Sequence, residues 1–261
     1  ALALRVESAG PNAITTAEAK AYLADFLDRV RMDYTGAERL YRESSAVYRA
    51  SPEAGVNRLT HTLDGLASVA EALGRRGEAG SLLREIVDLQ RERLGPRHPS
   101  VAGALGGLAG FLGRQGRLEE SEVVRRQHIA ILRETMGPEH HGMAVALVAL
   151  AGLLGDRARY AEADSVFKVA IAMRERVSGP RHALLAVALA DYATLLTKRR
   201  RFAEAEAALA RALDIVERQY PDEHADAQKV IRGFAALYEK WDRPEDAARY
   251  RARFRTVGRG L

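Results

Sequence analysis

The sequence predicts an all-α chain built from about six antiparallel helix pairs. Three observations carry this. Gly95-Pro96-Arg97-His98, Gly137-Pro138-Glu139-His140 and Gly179-Pro180-Arg181-His182 recur every 42 residues, and His224 continues the series after Tyr220-Pro221-Asp222-Glu223. Small residues keep the same period at Ala67, Ala109, Ala151, Ala193 and Ala235, and again at Ala37, Ala79, Ser121, Ala163, Ala205 and Ala247. Large apolar residues between these markers step by three and four, which lines one face of a helix. Self-similarity at one fixed period is the signature of stacked repeats.

Each unit reads as helix A, tight turn, helix B, loop. In the first unit helix A is expected near 15–31, with Asp25 where later units have alanine, and helix B near 35–49. The second unit places its helices near 56–73 and 78–94. In the third, Val101, Leu105, Leu108, Phe111 and Leu112 form the stripe of a helix near 100–115. Arg114-Gln115-Gly116-Arg117 breaks it, and the next helix starts at Glu119-Glu120 and runs to about 136. Acidic residues there suit the positive end of the helix dipole. In the fourth unit Val145, Leu147, Leu150, Leu153 and Leu154 mark a helix near 142–157, followed by one near 161–177. The fifth has helices near 184–199 and 203–219, separated by Lys198-Arg199-Arg200-Arg201. The sixth has helices near 226–241 and 244–256, with Trp241 and Arg243-Pro244 at an atypical turn. Gly-Pro ends each B helix, because proline cannot continue the ladder and glycine tolerates the closing turn. The small pairs Ala67/Ala79, Ala109/Ser121, Ala151/Ala163, Ala193/Ala205 and Ala235/Ala247 are expected where A and B cross, at an axial distance of about 8–10 Å.

Composition excludes several functional classes. The 261 residues hold 40 basic and 35 acidic side chains, no cysteine and one tryptophan. A chain without cysteine has no disulfide framework, iron–sulfur cluster or thiol nucleophile. No apolar run approaches the ~18 residues of a membrane span. With no signal-peptide pattern, this predicts a cytoplasmic protein. The arginine, alanine and glycine bias suggests a GC-rich bacterial source. Five positions, Gly103, Gly106, Gly107, Gly110 and Gly113, load one helix with glycine. Each costs about 1 kcal/mol relative to alanine. Room for a bound chain and drift within a stabilised array both account for them.

Leu105, Leu108, Ala109, Leu112, Gly116, Leu118 and Ser121 fall on the large, large, small, large, Gly, aromatic and Ala positions of the tetratricopeptide repeat. Tyr160-Ala161-Glu162-Ala163 and Phe202-Ala203-Glu204-Ala205 follow its aromatic-acidic-Ala turn. The chain therefore resembles that family, and its 42-residue period with a Gly-Pro-x-His loop is similar to the kinesin light chain-like subclass. The resemblance implies a right-handed superhelical solenoid. It forms one domain over 1–261, with units near 14–55, 56–99, 100–141, 142–183, 184–225 and 226–257. Residues 1–13, with Leu2-Ala3-Leu4-Arg5 and Gly10-Pro11, resemble the end of a preceding repeat, as in a fragment of a longer protein.

In this family the A helices line a concave groove that binds protein or peptide partners. The resemblance places in it Gly107, Gly110 and Arg114, then Val145, Val148, Gly152 and Asp156, then Val187, Asp191, Thr194 and Lys198, and finally Arg232. The asparagines by which kinesin light chain-like repeats hold a peptide backbone are replaced here by Gly65, Gly107, Ala149, Asp191 and Gly233. That favours a bound helix, or self-association, over an extended peptide.

Chemistry beyond binding finds little support. His98, His140, His182 and His224 occupy one loop position in successive units, about 10 Å or more apart, too far to share a zinc bound at about 2.0–2.1 Å. They are expected to close their loops. No phosphate loop, zinc-protease, serine-hydrolase or dinucleotide motif occurs, so no catalysis, metal or cofactor is expected. Lys198–Arg201 and the arginines at 249, 251, 253, 255 and 259 read as a solvated turn and an end cap. Few aromatics accompany them, which argues against nucleic acid. The sequence thus predicts a non-catalytic interaction scaffold. Two other readings stand beside it, a regulatory or sensor segment of a larger bacterial signalling protein (a Ser/Thr kinase or transcription regulator) and a homo-oligomerisation module.

Overall fold

The computed structural model describes residues 8–10 and 12–255. Among these the chain forms twelve α-helices and no strand. The A helices are α1 (Ile14–Phe26), α3 (Val56–Ala72), α5 (Pro99–Arg114), α7 (His141–Asp156), α9 (Ala183–Lys198) and α11 (Ala225–Lys240). The B helices are α2 (Tyr34–Ala50), α4 (Arg76–Leu94), α6 (Leu118–Met136), α8 (Tyr160–Ser178), α10 (Phe202–Glu217) and α12 (Pro244–Arg255). From α2 onward the ends lie within about two residues of those expected from the repeat. The expected remnant of an earlier repeat lies largely outside the described residues. Contacts divide the chain into two compact units, Ala1–Ile131 and Leu132–Leu261.

The punctuation of the repeat is built from backbone chemistry. Gly95, Gly137 and Gly179 take φ of +89°, +83° and +89° at the ends of their B helices. The histidine that follows is the N-cap of the next A helix. Nδ1 of His98, His140, His182 and His224 accepts the N–H of Ser100, Gly142, Leu184 and Asp226 at 3.0–3.2 Å. Each thereby satisfies one of the four N–H groups that a helix start leaves without an intrahelical partner. The loop-closing role expected of these histidines is the one they have.

The A–B turns are equally regular. Backbone N–H groups of Arg75, Arg117, Arg159, Arg201 and Arg243 donate to the carbonyls five residues back, at 2.7–3.0 Å. The residue before each arginine is left-handed. Gly74 and Gly116 fill this position in two turns, whereas Ala158, Arg200 and Asp242 hold φ of +57°, +57° and +60°. The first turn differs. There α1 runs into a π turn, Leu27–Arg31, and the N–H of Asp33 reaches six residues back to Leu27.

All five small A–B pairs are buried, and Ser121 Oγ donates to the Ala109 carbonyl at 2.7 Å. In the N-terminal unit the core gathers Tyr41, Leu63, Leu66, Val69 and Ile86, continued by Val87, Val101, Leu105, Leu108, Phe111 and Leu112. In the C-terminal unit Phe167 packs on Tyr192 with ring centroids 5.5 Å apart, and Phe234 stacks on Tyr250 at 4.3 Å. One stripe needs correction. Val145 is 44% exposed, and α7 instead buries Met143, Ala144, Ala146, Leu150, Leu153 and Leu154. The reason is angular. Val145 sits two residues before Leu147, about 200° round the helix, so the two cannot share a face.

A further 42-residue series ties neighbouring repeats together. Arg75 donates to Glu38 of the preceding B helix at 2.9 and 2.6 Å, and Arg201 to Asp164 at 2.8 Å. Arg243 lies 3.4 Å from Glu206. The same arginines reach the acid three residues ahead, as Arg201 does to Glu204 at 2.7 and 2.6 Å. The bidentate fork of arginine suits this double duty. It holds the Glu38 carboxyl down at about 2, the hydrogen bonds from Arg75 being the largest cause.

Candidate functional site: the A-helix face

The packing stripe of each A helix leaves one face without a partner helix. All twelve residues expected to line a groove lie on that face, and none of them is buried. In the N-terminal unit these are Gly107, Gly110 and Arg114 on α5. In the C-terminal unit they are Val145, Val148, Gly152 and Asp156 on α7, Val187, Asp191, Thr194 and Lys198 on α9, and Arg232 on α11.

The charged members are mostly engaged with neighbouring A helices. Arg114 makes two bonds to Glu71, at 3.0 and 2.8 Å, which lowers the Glu71 pKa. Lys198 Nζ lies 2.8 Å from Asp156, and Lys229 Nζ lies 2.8 Å from Asp191. Thr194 turns its hydroxyl to the Ala190 carbonyl at 3.1 Å. Arg232 has no acidic partner among the described residues.

The glycines divide into two kinds. A Cβ on Gly103, Gly107 or Gly152 would meet nothing within 4 Å. A Cβ on Gly65 would lie 2.3 Å from Tyr41 Cζ, and one on Gly233 would lie 2.7 Å from Leu209 Cδ2. Gly65 and Gly233 therefore admit side chains of the preceding B helix, while Gly103 and Gly107 leave bare helix surface. Of the positions that replace the family's asparagines, two are thus filled from within the fold.

At the α9–α11 end this face deepens into a cleft of about 610 Å³. Thr194, Thr197, Gly233 and Ala236 line it. Tyr160, Phe202, Lys198, Arg200, Glu239 and Lys240 line it too. Phe202 stacks on Trp241 at 5.5 Å, and the guanidinium of Arg200 stands 5.9 Å from the Phe202 ring centre. The sequence marked Thr194 and Lys198 of this cleft. It missed the turn residues Arg200 and Phe202, because a basic run at a turn carries no sign of facing a cavity. Among the described residues no three His, Cys, Asp or Glu side chains are grouped to hold a metal ion, and no helix is long and apolar enough to cross a membrane.

Two family models, each described as tetratricopeptide repeat, match residues 59–100 and residues 100–176 with 159–218. No curated protein sequence matches significantly. Among solved structures, BtubC (BKLC) from P. vanneervenii superposes with a TM-score of 0.70 at 20% identity, over 88% of this chain and 90% of that one. A putative kinesin light chain with nearly identical TPR-like repeats, from Podosopora anserina, gives 0.63 at 21% identity, over 78% and 96%. A Rap protein complexed with competence and sporulation factor gives 0.62 at 15% identity, over 94% of this chain and 64% of that one. At such identities the structural likeness shows the fold alone. The two family models together cover more than half of the 261 residues, and the chain belongs to the tetratricopeptide repeat family.

Proposed function

We propose that this chain is a non-catalytic interaction scaffold whose A-helix face receives a peptide or helix of a partner protein. One observation carries the reading. The only large faces left unpacked by the A helices coincide with the twelve groove residues, and they are small or apolar where contact would be made, at Gly107, Gly152, Val145, Val148 and Val187. Shallow, mostly apolar surface with a few polar groups suits an amphipathic segment laid along it. Most groove charges are neutralised within the fold, so a partner need not strip water from unpaired ions. The Rap protein of similar fold, seen with competence and sporulation factor, is a precedent for a bound factor on such an array. We take the six pairs as one interaction domain, since the 42-residue period runs without interruption from the first unit to the last.

The test is a random peptide library displayed against the immobilised chain. Peptides selected on the native protein should be lost when Val148→Asp and Val187→Asp are combined, with helicity by circular dichroism retained. Selected peptides that bind native and substituted protein equally would refute the groove.

A further inference from the structure

Arg200 is the least expected residue in the α9–α11 cleft. It holds φ of +57° at a turn position where Gly74 and Gly116 serve two other repeats without a Cβ penalty. An L side chain in that conformation is strained. Nothing inside the chain rewards it, because among the described residues Arg200 has no acidic partner. It only stands over Phe202. Lys240, across the cleft at the end of α11, likewise has none. The remaining charges of the cleft are cancelled. Lys198 pairs with Asp156, and Glu239 pairs with Arg251. Two uncompensated cations therefore rim a cavity whose floor is Gly233, Ala236 and two threonines, and whose aromatic edges are Tyr160 and Phe202.

Resting on the groove reading above, we propose that this cleft selects an acidic segment of a partner protein, with carboxylates placed at Arg200 and Lys240 and a small apolar side chain on the Gly233–Ala236 floor. Charge complementarity sets the choice. Arginine and lysine on a cleft rim raise the local concentration of anionic groups and speed their encounter. The absence of an asparagine at Gly233 removes a backbone clamp and leaves side-chain charge to fix the register. A strained cation without an internal partner is explained if its partner comes from outside.

The strain supplies a clean test. Arg200→Gly removes the cation and relieves the turn, so its effect on binding cannot come from unfolding. The probe is a fluorescein-labelled octapeptide of alternating Glu and Leu, followed by anisotropy at low and at physiological salt. A Lys–Leu octapeptide and an oligo-dT strand serve as comparisons. The Glu–Leu peptide should bind, weaken with salt, and lose about threefold in affinity with Arg200→Gly and again with Lys240→Gln, while the melting temperature of Arg200→Gly does not fall. No binding of the Glu–Leu peptide, equal binding of the Lys–Leu peptide, tighter binding of oligo-dT, or unchanged affinity in either variant would overturn the proposal. The two readings separate experimentally. Library peptides lost with Val148→Asp and Val187→Asp but kept with Arg200→Gly leave the groove standing without the cleft. The reverse leaves the cleft alone.

Discussion

Gly65, Gly107 and Gly233 occupy one position of the repeat, yet replacing each by alanine should change stability in opposite directions. All three lie inside A helices, where alanine gains about 0.5–1 kcal/mol over glycine by restricting the unfolded chain. At Gly107 a Cβ meets nothing within 4 Å, so Gly107→Ala should gain that full amount. At Gly65 the same atom would lie 2.3 Å from Tyr41 Cζ, where ordinary contact begins near 3.4 Å, so the ring must retreat by about 1.1 Å. It has nowhere to go. Tyr41 is fully buried, and its hydroxyl donates to Asp25 at 2.6 Å. Overpacking of this kind costs about 1–3 kcal/mol, which exceeds the helix gain. Gly233→Ala should fall between, because the obstructing atom is the end of the Leu209 side chain at 2.7 Å. The order of urea midpoints should be Gly107→Ala above native, then Gly233→Ala, then Gly65→Ala. Melting temperatures should follow at about 2–4 °C per kcal/mol. Hydrogen exchange should localise the loss to α2 and α3, since stability in repeat arrays is a sum over neighbouring units. If Gly65→Ala proves as stable as Gly107→Ala, the contact between Tyr41 and α3 is not the one described.

Three more outcomes follow from the turns and caps. Ala158→Gly should stabilise the chain by about 0.5–1 kcal/mol, because Ala158 holds φ of +57°, and a lower urea midpoint would contradict the strain argument. His182→Ala should cost about 1 kcal/mol by removing the acceptor for the Leu184 N–H, whereas His182→Asn should restore most of it. Equal midpoints for the two would remove the histidine from its capping role. The Glu38 carboxyl, held at about 2 chiefly by Arg75, ties stability to acid. A depressed folded-state pKa contributes stability that is complete above the ordinary 4.5 and disappears as the pH falls toward 2. Glu38→Gln should therefore narrow the gap in urea midpoint between pH 6 and pH 2.5, and an unchanged gap would show the pairing to be unimportant.

The sequence by itself determined the helices, their order and their ends. These depend on residues within a few positions of one another: apolar steps of three and four, a Gly-Pro stop, a capping histidine. The twelve groove positions were legible for the same reason, since facing away from the packing stripe is a property of one helix. The arginine series at 75, 117, 159, 201 and 243 was equally periodic and could have been found, but its partners were not. Glu38, Asp164 and Glu206 lie 37 residues before their arginines, a separation that means nothing until two repeats are stacked. Val145 was placed on two faces at once by spacing alone, and only burial chose between them. The glycines show the limit most plainly. Gly65 and Gly107 are the same residue at the same repeat position. One is required and the other dispensable, because Tyr41 projects from one preceding helix and no atom comes within reach from the other. Likewise the pairing of Lys198 with Asp156, which leaves Arg200 and Lys240 as the free cations of the cleft, is a fact about side chains on different repeats. Periodicity specifies what every unit shares. Contacts between units depend on what each does not share, and these were decided by the tertiary structure.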